Sequence, residues 1–146
     1  MASPDPTNPV AVVTGSGRPR IGNLIARDLA GTGYRVAIHY RQSQEYAVQT
    51  VSEIRAAGGV ASAYSADLSD EQEVDRLFDQ IASNFHRLDV LVNAASVWSP
   101  KSLETTTAAD VYDNFRVNTL ATFLCCQRAG LVMSSQSTGG AIVNFG

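Results

Sequence analysis

A short apolar run that passes directly into a glycine-rich turn constrains the fold of this chain more than any other feature. Residues 10–14, VAVVT, are predicted to form a strand buried on both faces, and the turn 15–17, GSG, follows at once. A segment with apolar helical periodicity opens at about Ile21. Glycine lets a backbone approach an anion closely, and the free N–H groups of a helix N-terminus face such an anion. The stretch therefore predicts the phosphate-binding start of a βα unit, although the glycine spacing alone is weakly specific.

Length and composition fit a single globular domain. The chain has 146 residues, of which 45% are hydrophobic and 17% charged, so it is long enough to bury a core. Its net charge of −3 gives no reason to expect nucleic acid or an anionic membrane as a partner. No apolar run approaches the roughly 18 residues that a transmembrane helix needs. These properties predict a cytoplasmic protein.

The N-terminus and the cysteines add two further expectations. Residues 1–9 hold three prolines and no hydrophobic stretch, which predicts a short disordered tail and not a signal peptide. Cys125 and Cys126 are adjacent on a predicted helix and therefore point apart. Neither a disulfide framework nor a metal site is indicated, and thiols in the core or at an interface are expected.

From residue 10 onward, strands alternate with helices. The predicted strands cover residues 10–14, 35–40, 60–65, 88–93 and 141–145, and the predicted helices cover 23–30, 43–57, 70–85 and about 109–135. In the first helix the apolar stripe that we expect to be buried is Ile21, Leu24, Ile25 and Leu29. In the third helix Ser69 is the expected N-cap, with acidic residues in the first turn.

This alternation predicts the fold class. Parallel strands need right-handed crossover helices, and nearly all-apolar strands are typical of a sheet covered by helices on both faces. We predict an α/β domain over residues 10–146 with an open, doubly wound Rossmann-type parallel sheet of strand order 3-2-1-4-5. The ligand crevice is expected above strands 1 and 4. This places four residues on one edge of the sheet: Gly15, Tyr40, Asp67 and Asn93.

Four motifs in register with the strand ends resemble the short-chain dehydrogenase/reductase family, and the likeness runs from residue 10 to residue 146. The motifs are Thr14-Gly15 with Gly22, Asp67 after the third strand, Asn93-Ala94-Ala95-Ser96 after the fourth strand, and Asn118 in the long helix. The resemblance implies a nicotinamide dinucleotide cofactor. It also implies a small-molecule substrate and hydride transfer at a carbonyl, a hydroxyl or an activated double bond.

By this resemblance the first turn holds the pyrophosphate of the cofactor. The expected cofactor-binding residues of the turn are Gly15, Ser16, Arg20, Ile21 and Gly22. Four residues, 16–19, stand between Thr14-Gly15 and the next motif position, where the family usually has three. Arg20 replaces the middle glycine of the motif, as in the pteridine-reductase-like branch. The competing interpretation is a tight turn that binds nothing.

The end of the second strand decides between the two nicotinamide cofactors. An NAD site places a carboxylate there for the ribose 2′-hydroxyl, but the run HYRQS contains no acid. Arg41 is expected to bind a 2′-phosphate, with Ser43 as a hydrogen-bond donor, Arg20 across the crevice and Tyr40 at the strand end. About 2 kcal/mol in favour of the phosphate gives roughly a thirtyfold preference. We predict NADP(H); the alternative is that Arg41 is a solvated surface charge.

The resemblance also assigns roles after the third and fourth strands. It implies that the Asp67 carboxylate accepts from the adenine amino group and that Leu68 packs near the base; helix capping is the alternative role for Asp67. Asn93 is expected to steady the cofactor-side wall by satisfying backbone groups. The small Ala94 and Ala95 allow the adenosine ribose to lie close.

Asn118 matches the helix asparagine of the family's catalytic tetrad, where it helps to organise a water path to the catalytic lysine. A structural hydrogen bond is the competing role. The family also needs a serine and a Tyr-x-x-x-Lys pair. This sequence has one lysine, Lys101, and Val97 stands four residues before it, so the pair is absent. Trp98 is either a wall of a substrate pocket or a hydrophobic anchor.

Two classes of function follow. In the first, the sequence is the N-terminal portion of an NADP(H)-dependent oxidoreductase whose Ser, Tyr and Lys lie beyond Gly146; a naturally short product and completion by a second polypeptide are the alternatives. The apolar fifth strand favours this class because it would otherwise form an exposed sheet edge. In the second, it is a non-catalytic dinucleotide-binding or interaction module. The resemblance also implies a homodimer or homotetramer formed through the long helix, whose apolar residues include Val111, Phe115, Leu120, Phe123 and Leu124.

Overall fold

The sheet has the predicted topology. The computed structural model describes residues 7–145. Its five strands are β1 (Val10–Val13), β2 (Arg35–Tyr40), β3 (Val60–Ser65), β4 (Val90–Asn93) and β5 (Ala141–Asn144). They pair in parallel in the order β3-β2-β1-β4-β5. The predicted α/β class and strand order are therefore confirmed.

Helices cover both faces of this sheet. They are α1 (Ile21–Gly31), α2 (Gln44–Ala56), α3 (Glu71–Phe85), α4 (Ala108–Phe115) and α5 (Ala121–Ser134), with a short 3₁₀ turn at Leu103–Thr105. One core cluster joins the sheet to α3 and α5, and a second joins it to α1 and α2. The four residues of β1 are fully buried because β1 lies between these two layers. None of the helices in residues 7–145 is long and apolar enough to cross a membrane.

The predicted buried stripe of α1 is wrong. Ile21 is 55% exposed and Leu24 is 66% exposed, while Ile25 and Leu29 are only partly buried. The face that packs on the sheet consists of small or polar residues, namely Gly22, Asn23, Ala26 and Ala30. At the start of α1 the approach to the end of β1 is close, since a Cβ on Gly22 would lie 3.1 and 3.2 Å from the carbonyl oxygens of Gly15 and Thr14. Periodicity locates the apolar positions of a helix but does not give its distance from the sheet.

The N-cap of α3 is Asp70, not the predicted Ser69. The Asp70 carboxylate accepts hydrogen bonds from the N–H groups of Gln72 and Glu73 at 2.9 and 3.2 Å. Ser69 is engaged elsewhere, because both its N–H and its hydroxyl donate to Asp67. The helix therefore begins one residue later than the pattern indicates.

Replacing this cap gives a first prediction. Asp70→Ala should lower the free energy of unfolding by about 1 kcal/mol, because two N–H groups of the first turn of α3 lose their acceptor. Asp70→Asn keeps a capping oxygen and should cost clearly less. Urea unfolding of the two variants measures the difference, and equal losses would contradict the capping role.

The chain before β1 is only partly described. Residues 1–6 of the expected disordered tail, and Gly146, lie outside the described residues. Residues 7–9 differ from the expectation, since their carbonyl groups accept hydrogen bonds. The Arg35 backbone N–H donates to Pro9, the Arg35 side chain donates to Asn8, and Arg87 donates to Thr7.

The predicted long helix is interrupted by a π segment, Arg116–Leu120, between α4 and α5. Its wider turn is closed by the N–H of Ala121, which donates to the carbonyl of Arg116. Such segments inside α-helices are frequent at functional sites. Of the apolar residues predicted along this helix, Val111, Phe115 and Phe123 are more than half exposed, whereas Leu124 belongs to the core.

Both cysteines lie on α5 as free thiols. Cys125 belongs to the core, and burial raises its pKa to about 12, so it stays a protonated thiol. Cys126 is partly exposed and contacts Asn93.

Candidate functional site

A crevice of about 310 Å³ opens at the carboxyl edge of the sheet, above β1 and β4. The loops that follow β1, β2, β3 and β4 line it, together with Val117 of the π segment. It therefore lies where the sequence predicts it. The predicted site residues that line it are Gly15, Arg20, Ile21, Tyr40, Arg41, Ser43, Asp67, Leu68, Ala94 and Ala95.

The glycine turn is fixed by steric contacts. Gly15 has φ +65°, and a Cβ there would lie 2.7 Å from Cα of Ala95. A Cβ on Gly17 would lie 2.6 Å from Oγ of Ser43. Because neither position has room for a side chain, β1, β2 and β4 meet closely at the floor of the crevice.

The amides of this turn are not free for a ligand. The N–H of Gly15 donates to Nδ1 of His39 at 3.1 Å, and the N–H groups of Ser16 and Gly17 donate to the His39 carbonyl at 3.0 and 3.2 Å. Ser16 is also fully buried beneath the crevice. The turn thus shapes the site, and the anion-binding donors must come from elsewhere.

Those donors are at the start of α1. Its N-cap, Arg20, makes no capping hydrogen bond through its side chain. Within residues 7–145, the backbone N–H groups of Ile21 and Gly22 also have no hydrogen-bond partner. Ile21 lines the crevice, whereas Gly22 is buried directly behind it, where a Cβ would meet the Gly15 carbonyl at 3.1 Å. The uncapped helix end therefore offers amide donors and a partial positive charge to an anion.

Asn23, which sequence reasoning missed, ties this helix end to its surroundings. Asn23 is 2% exposed, and its side-chain amide donates to the Ser16 carbonyl and to Oγ1 of Thr50, at 2.9 and 2.8 Å. An asparagine among apolar and small residues on a helix was the available signal, but periodicity alone does not identify its partners.

Thr14 braces the opposite side of the turn. The residue is 1% exposed, and its hydroxyl accepts hydrogen bonds from the N–H groups of Ala94 and Ala95, both at 3.0 Å. This contact holds the loop after β4 against the end of β1. The two small alanines consequently form a smooth wall of the crevice.

The rim of the crevice is cationic. Arg18, Arg20 and Arg41 line it, and Asp67 is the one carboxylate among its described lining residues. Arg18, which was not predicted as a site residue, lies two residues before Arg20 in the same loop. Arg41 is about half exposed and lies 3.8 Å from Asp67, a loose pair that leaves its guanidinium available.

Asp67 is held as an anion at the end of β3. Burial raises its pKa, but the hydrogen bonds from Ser69 and the guanidinium groups of Arg41 and Arg116 outweigh this effect and leave the pKa below its usual value. Oδ1 is occupied by the two Ser69 bonds at 3.0 and 2.7 Å, whereas Oδ2 faces Arg41. Asp67 thus orders its own loop, and the adenine contact stays a prediction.

Asn93 lies under the crevice and not in its lining. It is 4% exposed, and its amide nitrogen donates to Oδ1 of Asn144 at 2.9 Å and to Sγ of Cys126 at 3.3 Å. Within the described residues, the Asn93 side chain therefore binds side chains of β5 and α5 and not the backbone groups that the sequence suggests, and its steadying of the cofactor-side wall stays a prediction.

Asn118 sits in the π segment and binds the backbone of Val97 in both directions. Its Oδ1 accepts from the Val97 N–H at 2.9 Å, and its Nδ2 donates to the Val97 carbonyl at 3.1 Å. Val97 lines the crevice, so Asn118 positions the loop after β4. A catalytic role for Asn118 stays a prediction. Trp98 is 86% exposed and does not line the crevice.

Comparison with known proteins agrees with this geometry. The family model for short chain dehydrogenases matches residues 9–146. The chain is 36% identical to the uncharacterized oxidoreductase YgfF of Escherichia coli (strain K12), over 92% of this chain and 56% of that protein. It is 38% identical to the 3-oxoacyl-(acyl-carrier-protein) reductase FabG of Staphylococcus aureus (strain N315), over 92% of this chain and 54% of that protein.

Solved structures give the same result. A dehydrogenase/reductase from Sinorhizobium meliloti 1021 superposes with a TM-score of 0.88 at 37% identity, over 94% of this chain and 53% of that one. A short chain dehydrogenase from Burkholderia cenocepacia J2315, solved in complex with NADP, superposes with a TM-score of 0.84 at 38% identity, over 92% of this chain and 53% of that one. The chain spans about half the length of the relatives that it matches. With the strand order and the crevice at its predicted edge, the family model establishes that this chain belongs to the short chain dehydrogenase family.

Proposed function

We propose that this chain forms the NADP(H)-binding portion of an oxidoreductase. The observation that carries the proposal is the pairing of an uncapped α1 N-terminus with an arginine-rich rim in one crevice. The first feature suits a pyrophosphate. The second suits an additional phosphate, because guanidinium groups bind phosphate oxygens in a bidentate manner.

The residues of the crevice fit such a dinucleotide in charge and in shape. Ile21 and Gly22 would hold the pyrophosphate through their N–H groups, with Arg20 beside them. Arg41 and Ser43 would hold the 2′-phosphate, since β2 ends without the carboxylate that an NAD site requires. Asp67 and Leu68 would receive the adenine, and Ala94 and Ala95 leave room for the ribose. The NADP of the Burkholderia cenocepacia structure supports this assignment.

The proposed reaction of the whole protein is hydride transfer to or from a carbonyl, a hydroxyl or an activated double bond of a small molecule. The reduced nicotinamide supplies the hydride when it is bound. A tyrosine–lysine pair and a serine are needed for the proton and the carbonyl, and the 146 residues contain no Tyr-x-x-x-Lys. Asn118 would contribute by fixing the π segment and the loop at Val97. We expect the chain alone to bind the cofactor without turning over substrate.

Assembly and location belong to the same proposal. The exposed apolar side chains of α4 and α5 support a homodimer or homotetramer formed through these helices. A cytoplasmic location is proposed from the net charge and from relatives such as FabG. Sedimentation of the intact protein tests the oligomer.

Cofactor titration tests the central claim. The chain should bind NADPH at least about tenfold more tightly than NADH, and Arg41→Ala should remove most of this preference by weakening NADPH selectively. Fluorescence titration measures both affinities. Arg76→Ala is the matched control: it removes an equal charge from an exposed position on α3 and should leave both affinities unchanged.

Two results would count against the proposal. Tighter binding of NADH than of NADPH would overturn the cofactor assignment. Binding of neither dinucleotide would favour an interaction module over the oxidoreductase.

A further inference from the structure

His39, the fifth residue of β2, is connected to the glycine turn by four hydrogen bonds. Its carbonyl accepts from the amides of Ser16 and Gly17, and its own N–H donates to Oγ of Ser16 at 3.1 Å. Its ring nitrogen Nδ1 accepts from the Gly15 N–H at 3.1 Å. Every residue of the turn 15–17 is therefore bound to this one residue.

The second ring nitrogen extends the connection to β3. Nε2 lies 3.0 Å from the carbonyl of Ala66, the residue that directly follows β3 and precedes Asp67. The imidazole thus bridges the turn after β1 and the loop after β3. These are the two segments between which the adenosine half of a dinucleotide would lie.

The hydrogen-bond pattern defines the protonation state of the ring. Nδ1 faces an N–H donor and must be unprotonated, so Nε2 carries the proton and donates it to Ala66. His39 is 3% exposed. Burial lowers its pKa to about 4, although the Ala66 carbonyl and the Asp67 carboxylate oppose this shift. The ring is a neutral imidazole at neutral pH.

We propose that His39 is a positioning residue of the dinucleotide site, whose neutral Nε2–H imidazole locks the glycine turn to the loop after β3. The inference rests on the proposed function for its ligand, NADP(H). It goes beyond that function because His39 contributes through the shape of the site: its ring binds the Gly15 amide on one side and the Ala66 carbonyl, next to Asp67, on the other. Loss of the ring bonds would let the Gly15 turn move relative to Ala66.

Three variants separate hydrogen bonding from packing. His39→Phe keeps a planar ring but offers neither an acceptor to Gly15 nor a donor to Ala66. His39→Asn can still place an amide oxygen near the former Nδ1 position but has no donor at the Nε2 position. His86→Asn is the control, since His86 is the other histidine of the sequence and is exposed at the end of α3.

Two measurements are made on each variant. We expect His39→Phe, which removes both ring hydrogen bonds, to raise the Kd for NADPH at least about tenfold, whereas His39→Asn, which keeps the acceptor for Gly15 and loses the donor to Ala66, should raise it by about fivefold or less. Hydrogen exchange of the Gly15 amide, measured without cofactor, should accelerate by about tenfold or more in His39→Phe and remain slow in His39→Asn. His86→Asn should change neither value.

The native chain supplies a test that needs no variant. Long-range ¹H–¹⁵N spectra at pH 6 to 8 should show Nδ1 of His39 unprotonated and Nε2 protonated. A protonated Nδ1, or Gly15 exchange that is unaffected in a folded His39→Phe, would overturn the positioning role. Equal NADPH affinity of His39→Phe and the native chain would do the same. Failure of the native chain to bind NADPH would instead overturn the proposed function. The exchange and tautomer measurements would then still test whether the His39 ring connects Gly15 to Ala66.

Discussion

Replacing Gly15 with alanine is expected to lower the free energy of unfolding by about 2–4 kcal/mol, through left-handed backbone strain combined with steric overlap. The backbone of Gly15 has φ +65°. The new Cβ would lie 2.7 Å from Cα and 2.9 Å from N of Ala95, and 3.0 Å from the Ala94 carbonyl oxygen. These are backbone atoms of the segment that follows β4, so the overlap cannot be relieved by a side-chain rotation. Chemical denaturation measures the loss.

The control for this substitution is Gly31→Ala. Gly31 is the last residue of α1, and a Cβ there meets nothing within 4 Å. Because alanine favours a helix over glycine, Gly31→Ala should leave stability unchanged or raise it by up to about 1 kcal/mol. The two substitutions add the same methyl group, so the difference between their effects on the free energy of unfolding isolates the geometry of the turn. A Gly15→Ala variant as stable as the native chain would show that β1 and β4 do not meet as closely as the structure places them.

The sheet was predictable because few topologies satisfy the alternation of strands and helices. Right-handed crossovers and apolar strands leave an open parallel sheet, and its carboxyl edge then collects the residues that follow each strand. Gly15, Tyr40 and Asp67 line one crevice for this reason. The strand order alone predicts that these residues lie close together, because the carboxyl ends of neighbouring parallel strands meet at one edge of the sheet.

The hydrogen-bonded interior of the site was not predictable in the same way. His39 reads in the sequence as one polar residue in a buried strand, and its partners at Gly15 and Ala66 are 24 and 27 residues away. The sequence predicts Gly15 and Ser16 as cofactor-binding residues, but the amides of both are taken up by His39. Local patterns indicate which groups can bond. Which partner each one finds depends on the packing of three strands.

Removing the hydroxyl of Thr14 should be as damaging as adding the methyl group at Gly15. Thr14→Val preserves shape but leaves the N–H groups of Ala94 and Ala95 without their acceptor beneath the crevice. Each unsatisfied donor costs about 1–3 kcal/mol, and because the loop is partly exposed we expect a total loss of about 2–4 kcal/mol in the free energy of unfolding. Urea denaturation measures this value.

Thr14→Ser is the matched variant, because it keeps the acceptor oxygen and removes only a methyl group. It should cost about 1 kcal/mol or less, close to the value for one buried methylene. If the proposed cofactor site is correct, Thr14→Val should also weaken NADPH binding, since the wall formed by the loop after β4 is no longer held against β1. Equal stability of the Val and Ser variants would mean that packing of the Thr14 side chain, and not its two hydrogen bonds, holds this wall in place.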